Sequence, residues 1–182
     1  MPVIPFRGTL PRIHPSVFIA PDAWVTGQVS IGEDCSVFFG TVLRGDINSI
    51  QIGSATNIQE KATLHTSRGL GPCIIGNRVS IGHHAIVHGC TVADECIIGM
   101  GAVLLDGVEV GKNCIIGAQA LVPTNTKIPE NSLVVGVPAT VIRTITDKER
   151  EGILRSAASY VEVGREYERQ FSQGTVTGNP HS

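Results

Sequence analysis

Aromatic side chains are scarce in this chain: one Trp, two Tyr and five Phe make up 4% of 182 residues. That scarcity argues against a thick core filled by rings and for a narrow interior of aliphatic and small side chains. No apolar run approaches the roughly 20 residues that a bilayer-spanning helix needs. The opening Met1-Pro2-Val3-Ile4-Pro5-Phe6-Arg7 has no apolar signal-type core, so no membrane partner and a cytoplasmic location are expected. There is no basic run and the net charge is −2, which leaves neither nucleic acid nor an anionic surface as an implied partner. Cysteine occurs five times but without the spacing of a disulfide framework. Cys35, Cys96 and Cys114 each follow an aliphatic position by four residues and are expected to be buried free thiols in a reducing compartment.

What the chain does have is a period of six. Aliphatic residues recur at that interval from Ile13 to Leu43, Ile52 to Leu64, Ile75 to Val87 and Val92 to Val134. Six fits neither an amphipathic helix nor a simple alternating strand. It suits short strands joined by tight turns, with one large and one small side chain pointing inward per strand. Three such strands make a triangular coil, and coils stack about 4.8 Å apart through parallel ladder bonds. The spacing therefore predicts an all-β solenoid, a parallel β-helix, over 1–146. At Thr146 and Glu149 the sequence switches to capping-box spacing, and Ile153, Ala157, Tyr160, Val161, Gly164 and Tyr167 form one stripe. This predicts a helix over 147–171 packed on the prism, followed by a disordered tail over 172–182.

The phase slips at three places: Leu43 to Ile52, Leu64 to Ile75 and Val87 to Val92. Extra residues there must bulge outward, and function is expected at such breaks. Arg44, His65 and His88 directly follow the aliphatic residue at the three breaks. Counting hexads puts His65 and His88 at equivalent positions on adjacent coils, with Arg44 one coil earlier. Gln59 and His83 fall on the preceding corner. Three imidazoles with one open position form the ligand set of a hydrolytic zinc site, but His83 lies too far along the strand to join the other two within one chain. A three-fold neighbour would supply it, which predicts a homotrimer with a site at each interface. His14, His84 and His181 read as solvated turn residues.

These residues resemble the gamma-class carbonic anhydrases and their bacterial homologues. The likeness is carried by Leu43-Arg44-Gly45-Asp46, Thr56-Asn57-Ile58-Gln59-Glu60, Leu64-His65-Thr66 and Ile81-Gly82-His83-His84-Ala85-Ile86-Val87-His88-Gly89. The resemblance implies a left-handed β-helix, a homotrimer, and zinc (or iron or cobalt) held by His65 and His88 of one subunit and His83 of the next. It implies reversible hydration of carbon dioxide to bicarbonate by hydroxide generated on that metal. It also assigns Arg44 and Asp46 to an intersubunit pair, Gln59 to the metal's water, and Asn57 to the pocket. Tyr160 resembles a family tyrosine that reaches toward the active site, and a packing role suits it equally well. The loop Thr66–Cys73 is short and lacks the glutamate that shuttles protons in the family prototype, and Ile47 stands where a second acid is expected after Asp46. Glu60, in place of an aspartate, is the remaining candidate to carry the proton. Short-loop homologues include acyl-CoA thioesterases and proteins labelled siderophore-binding. The alternatives are therefore a thioesterase or transferase acting on another small carbonyl substrate, and a metal- or siderophore-binding trimer without turnover.

Overall fold

The computed structural model describes residues 3–173. Most hexads form a two-residue strand, its aliphatic residue pointing inward, followed by a turn. The strands align in parallel register coil on coil. Ile13 pairs with Ile31, Ile19 with Val37, Val25 with Leu43, and so on to Val110 with Ile128. The expected β-solenoid is thus the observed one, and it has three faces. Two of them are continuous, because Trp24–Ile31 and Val42–Ile52 run round the corner from the first face to the second.

The interior is a column of fully buried aliphatic side chains such as Leu43, Leu64, Val87 and Leu104. Each is stabilised by about 1.5–3 kcal/mol on leaving water. Cys35, Cys96 and Cys114 sit among them, and Cys73 and Cys90 are buried as well; all five are free thiols. Burial pushes the Cys35 thiol up to about 12. No helix among the described residues is long and apolar enough to cross a membrane.

The outer sides of the three faces differ, and that difference positions the site. The second face presents mainly polar residues, among them Arg12, Ser30, Gln51, Thr91, Glu109 and Lys127. The third is covered, from Phe18–Ile19 to Ser80–Ile81, by helix α1 (Asp147–Ser172), whose start is closed by the capping box of Thr146 and Glu149. Ile153, Ala157 and Gly164 are its buried residues. A Cβ on Gly164 would lie 3.0 Å from the Cβ of Ser36, so glycine permits this close approach. Val163, rather than the expected Val161, packs with Tyr160 and Tyr167 against the core. Six of the chain's eight aromatic residues (Phe18, Phe38, Phe39, Tyr160, Tyr167 and Phe171) collect in this seam rather than inside the prism. Ser172 ends the helix and Gln173 caps it; the remainder of the expected disordered tail, with His181, lies outside the described residues.

The first face carries Trp24, Val42, Thr63, Ile86, Val103 and Leu121 in register on its outer side. Trp24 and Ile86 are exposed on this uncovered, largely apolar strip.

Candidate metal centre

The edge between the first and second faces is where the phase breaks fall. His65 closes the strand Thr63–His65 and His88 closes Ile86–His88. The two are directly paired in the ladder, as the hexad count required, with ring centroids 5.1 Å apart. His65 Nδ1 lies 3.0 Å from His88 Nε2. The other nitrogen of each ring meets a carboxylate: His65 Nε2 is 3.0 Å from Asp46 Oδ1, and His88 Nδ1 is 3.1 Å from Asp106 Oδ1.

This network assigns the tautomers, because an ionised carboxylate can only accept. In the neutral rings the protons sit on His65 Nε2 and His88 Nδ1, and the two nitrogens that face each other both bear lone pairs. Such an arrangement is stabilised by a proton or a cation between them. Burial disfavours the proton and holds His65 below its ordinary value against the opposing pull of Asp46. Burial also pushes the Asp46 carboxyl up, but hydrogen bonds from Arg44 and His65 outweigh it and leave Asp46 below the usual range. Neutral imidazoles backed by carboxylates are the form in which histidine binds zinc, so the donor set fits a zinc-class cation. Arg44 Nη1 donates to Asp46 Oδ2 of the same chain at 2.6 Å, and the Arg44 side chain remains largely exposed.

His83 lies across the first face, on the edge between the third and first. Among the described residues, no group of three His, Cys, Asp or Glu side chains forms a metal-sized cluster. Glu60 Oε2 meets His83 Nδ1 at 2.5 Å and leaves Nε2 free. The ladder, which pairs Ile58 with Ile81, stacks Glu60 and not Gln59 on His83. Gln59 is one residue back and buried. Its Nε2 donates to Asn57 Oδ1 (3.1 Å), Asn57 Nδ2 donates to Ser80 Oγ (2.8 Å), and Ser80 Oγ is 3.2 Å from Ser156 Oγ on α1. This chain of bonds fixes the amide of Gln59, which lines a groove of about 400 Å³ together with His83, Ile97, Met100, Ile115 and Tyr160. Tyr160 packs edge-on against Phe38. Its hydroxyl is pushed above the ordinary value first by burial and then by Glu60.

The profile of the bacterial transferase hexapeptide family (six repeats) matches residues 89–124. A carbonic anhydrase of Geobacillus kaustophilus is 41% identical over 173 residues, covering 95% of this chain and 94% of its own length. The mitochondrial gamma carbonic anhydrase 2 of Arabidopsis thaliana is 42% identical over 160 residues, which is 85% of this chain. The match takes in 58% of that relative, so this chain spans little more than half its length. The chain belongs to the gamma carbonic anhydrase family. The solved structure of a hexapeptide transferase family protein from Anaplasma phagocytophilum superposes with a TM-score of 0.86 at 34% identity, over 90% of this chain and 96% of that one. In this gamma carbonic anhydrase family member the short loop Thr66–Cys73 is tied down by Asn48, whose backbone N–H donates to Thr66 Oγ1 at 3.0 Å and whose Nδ2 donates to the Leu70 carbonyl at 2.8 Å. Sequence reasoning missed Asp106. It lies one residue past the position opposite His88, since Val87 pairs with Leu104, so the coil count brings it to the same edge without singling it out. Ser156 was missed too, and no local signal marks it.

Proposed function

We propose that this protein is a metal-dependent carbonic anhydrase that works as a homotrimer. In this reading His65 and His88 of one subunit and His83 of its neighbour hold zinc, with iron or cobalt as alternatives. The observation that carries the reading is the pair of facing ring nitrogens on His65 and His88, 3.0 Å apart, with a carboxylate on the other nitrogen of each ring. A bound zinc-class cation supplies Lewis acidity that brings the pKa of a coordinated water from 15.7 toward about 7.

The chain's own residues do the rest. Asp46 and Asp106 each accept from one ring nitrogen and so aim the other nitrogen of each imidazole at one point. Glu60 orients His83 so that Nε2 is free to reach a neighbouring subunit. The Gln59 carbonyl, locked through Asn57 and Ser80, accepts a hydrogen bond from water or bicarbonate in the groove, where carbon dioxide meets an apolar wall of Ile97, Met100 and Ile115. The uncovered apolar first face, running from Trp24 to Leu121 between the His83 edge and the His65–His88 edge, supports subunit contact there.

The groove favours a second reading. About 400 Å³ is far more room than carbon dioxide needs and falls in the range of small-molecule sites, so hydrolysis of an acyl thioester is the alternative. One experiment separates the two: metal analysis of anaerobically purified protein, then carbon dioxide hydration and acyl-CoA hydrolysis on the same sample. Zinc at one per subunit with hydration activity is expected. Thioester hydrolysis alone would select the second reading, and metal without either activity would leave a binding trimer.

A further inference from the structure

We infer that Asp106 is a positioning residue for the metal centre, held in place by Ser67 of the short loop, and that it fixes the tautomer and direction of His88 as Asp46 does for His65. The inference rests on the metal reading of the previous section. Asp106 uses both carboxylate oxygens: Oδ1 meets His88 Nδ1 at 3.1 Å and Oδ2 accepts from Ser67 Oγ at 3.2 Å. Its seat is made by Gly89, at φ +53°, where a Cβ would lie 2.1 Å from Asp106 Oδ1. Any larger residue there would expel the carboxylate. A purely structural explanation would be a side chain that merely fills the turn, and the next coil shows what that looks like. There Gly107 makes the same room and Asn125 Oδ1 occupies it, 2.3 Å from the position of the missing Cβ. That site is a similar glycine seat one coil on, one residue later in its corner, and it holds an amide in place of the carboxylate. The carboxylate appears on the coil where an imidazole needs an acceptor.

The geometry also gives the short loop a task. Ser67 is the second residue after His65 and reaches 39 positions forward to Asp106, so the loop clasps the carboxylate that holds the second histidine. The two ligand rings are thereby braced from one side of the chain each, Asp46 before them and Asp106 after.

The test uses the full-length protein stripped of metal and titrated with zinc in competition with a chromophoric chelator. D106N copies the neighbouring coil and keeps the volume of the side chain. Its zinc affinity should fall about 10- to 100-fold, while the melting temperature of the metal-free protein stays near that of the wild type. S67A should weaken zinc in the same direction by less. Wild-type affinity in D106N overturns the inference. If the wild type itself takes up no zinc, the metal reading fails, and the His88 tautomer decides this point independently. Two-bond 15N–1H spectra of the metal-free wild type should show His88 protonated on Nδ1; a proton on Nε2 overturns it. That same measurement on the wild type serves if D106N does not fold.

Discussion

His65 turns Nδ1 and His88 turns Nε2 toward one point. His83 stands alone on the far edge of the first face with Glu60 behind it. His84, the adjacent residue, does something different. It sits at φ +58° in the tight turn between the third and first faces and is a corner residue. Replacing His65, His83 or His88 with Ala should each abolish stoichiometric zinc binding, whereas His84→Ala should retain it. Elemental analysis of the four purified variants checks this, and full zinc in any of the first three would remove that residue from the centre. The histidines were legible because they directly follow phase breaks or lie near them, and the aliphatic count fixes a residue's coil and edge. Glu60 and His83 each lie two residues past their paired aliphatics, Ile58 and Ile81, so it is Glu60 rather than its neighbour Gln59 that faces His83. Asp106 escaped notice because Asp before Gly in a turn is ordinary chemistry.

At the scale of elements, the strands follow from the hexads and α1 from its cap, but the seam between them was not legible. Phe18, Phe38 and Phe39 sit in solenoid corners and strands, and their partners Tyr160, Tyr167 and Phe171 come more than a hundred residues later. Nothing local couples the two sets. A further tie between helix and solenoid is electrostatic. Arg143, on the strand Ala139–Thr144, pairs with Glu149 in the first turn of α1 through two bonds of 2.8 Å. Those bonds from Arg143, with further ones from Thr146, hold the Glu149 carboxyl well below the usual range. A carboxyl whose folded pKa is depressed contributes stability above its unfolded value of about 4.3, and that contribution is lost as pH falls through the folded value. Glu149→Gln should therefore lower the melting temperature at pH 7, and the gap from wild type should narrow as pH is lowered from about 4.5 toward 2. Thermal melts across that window measure it; a gap independent of pH would assign Glu149 to packing and capping alone.

For the whole molecule the three faces have three fates, and the first is largely apolar and lies away from α1. Ile86 stands near the middle of that strip, two residues before His88, with its side chain pointing out. Ile86→Glu leaves every candidate ligand in place and puts a charge where a second copy of the chain would pack. Light scattering should find it monomeric or dissociating on dilution, with zinc lost; a monomer that keeps one tightly bound zinc would show that a single chain supplies all the ligands. The same scale governs the proton. Hydration of carbon dioxide releases one proton per turnover, and a fast enzyme passes it along an internal acid to solvent. Thr66–Cys73 contains no carboxylate and Ile47 cannot relay a proton. Asp46 and Asp106 are both occupied in holding imidazoles. The half-exposed Glu60, bound to His83, is the remaining candidate carboxylate. Transfer to buffer must then limit turnover, and acceptors with pKa near 7 do this best because general-base transfer is most efficient near the working pH. Stopped-flow hydration at pH 7.5 should be slow in weak buffer and rise with imidazole-type buffer until another step takes over, and Leu70→Glu, on the exposed loop tip, should recover part of the rate without added buffer. A rate already high and flat in buffer concentration would identify Glu60 as the internal relay, and Glu60→Gln would then restore the buffer dependence.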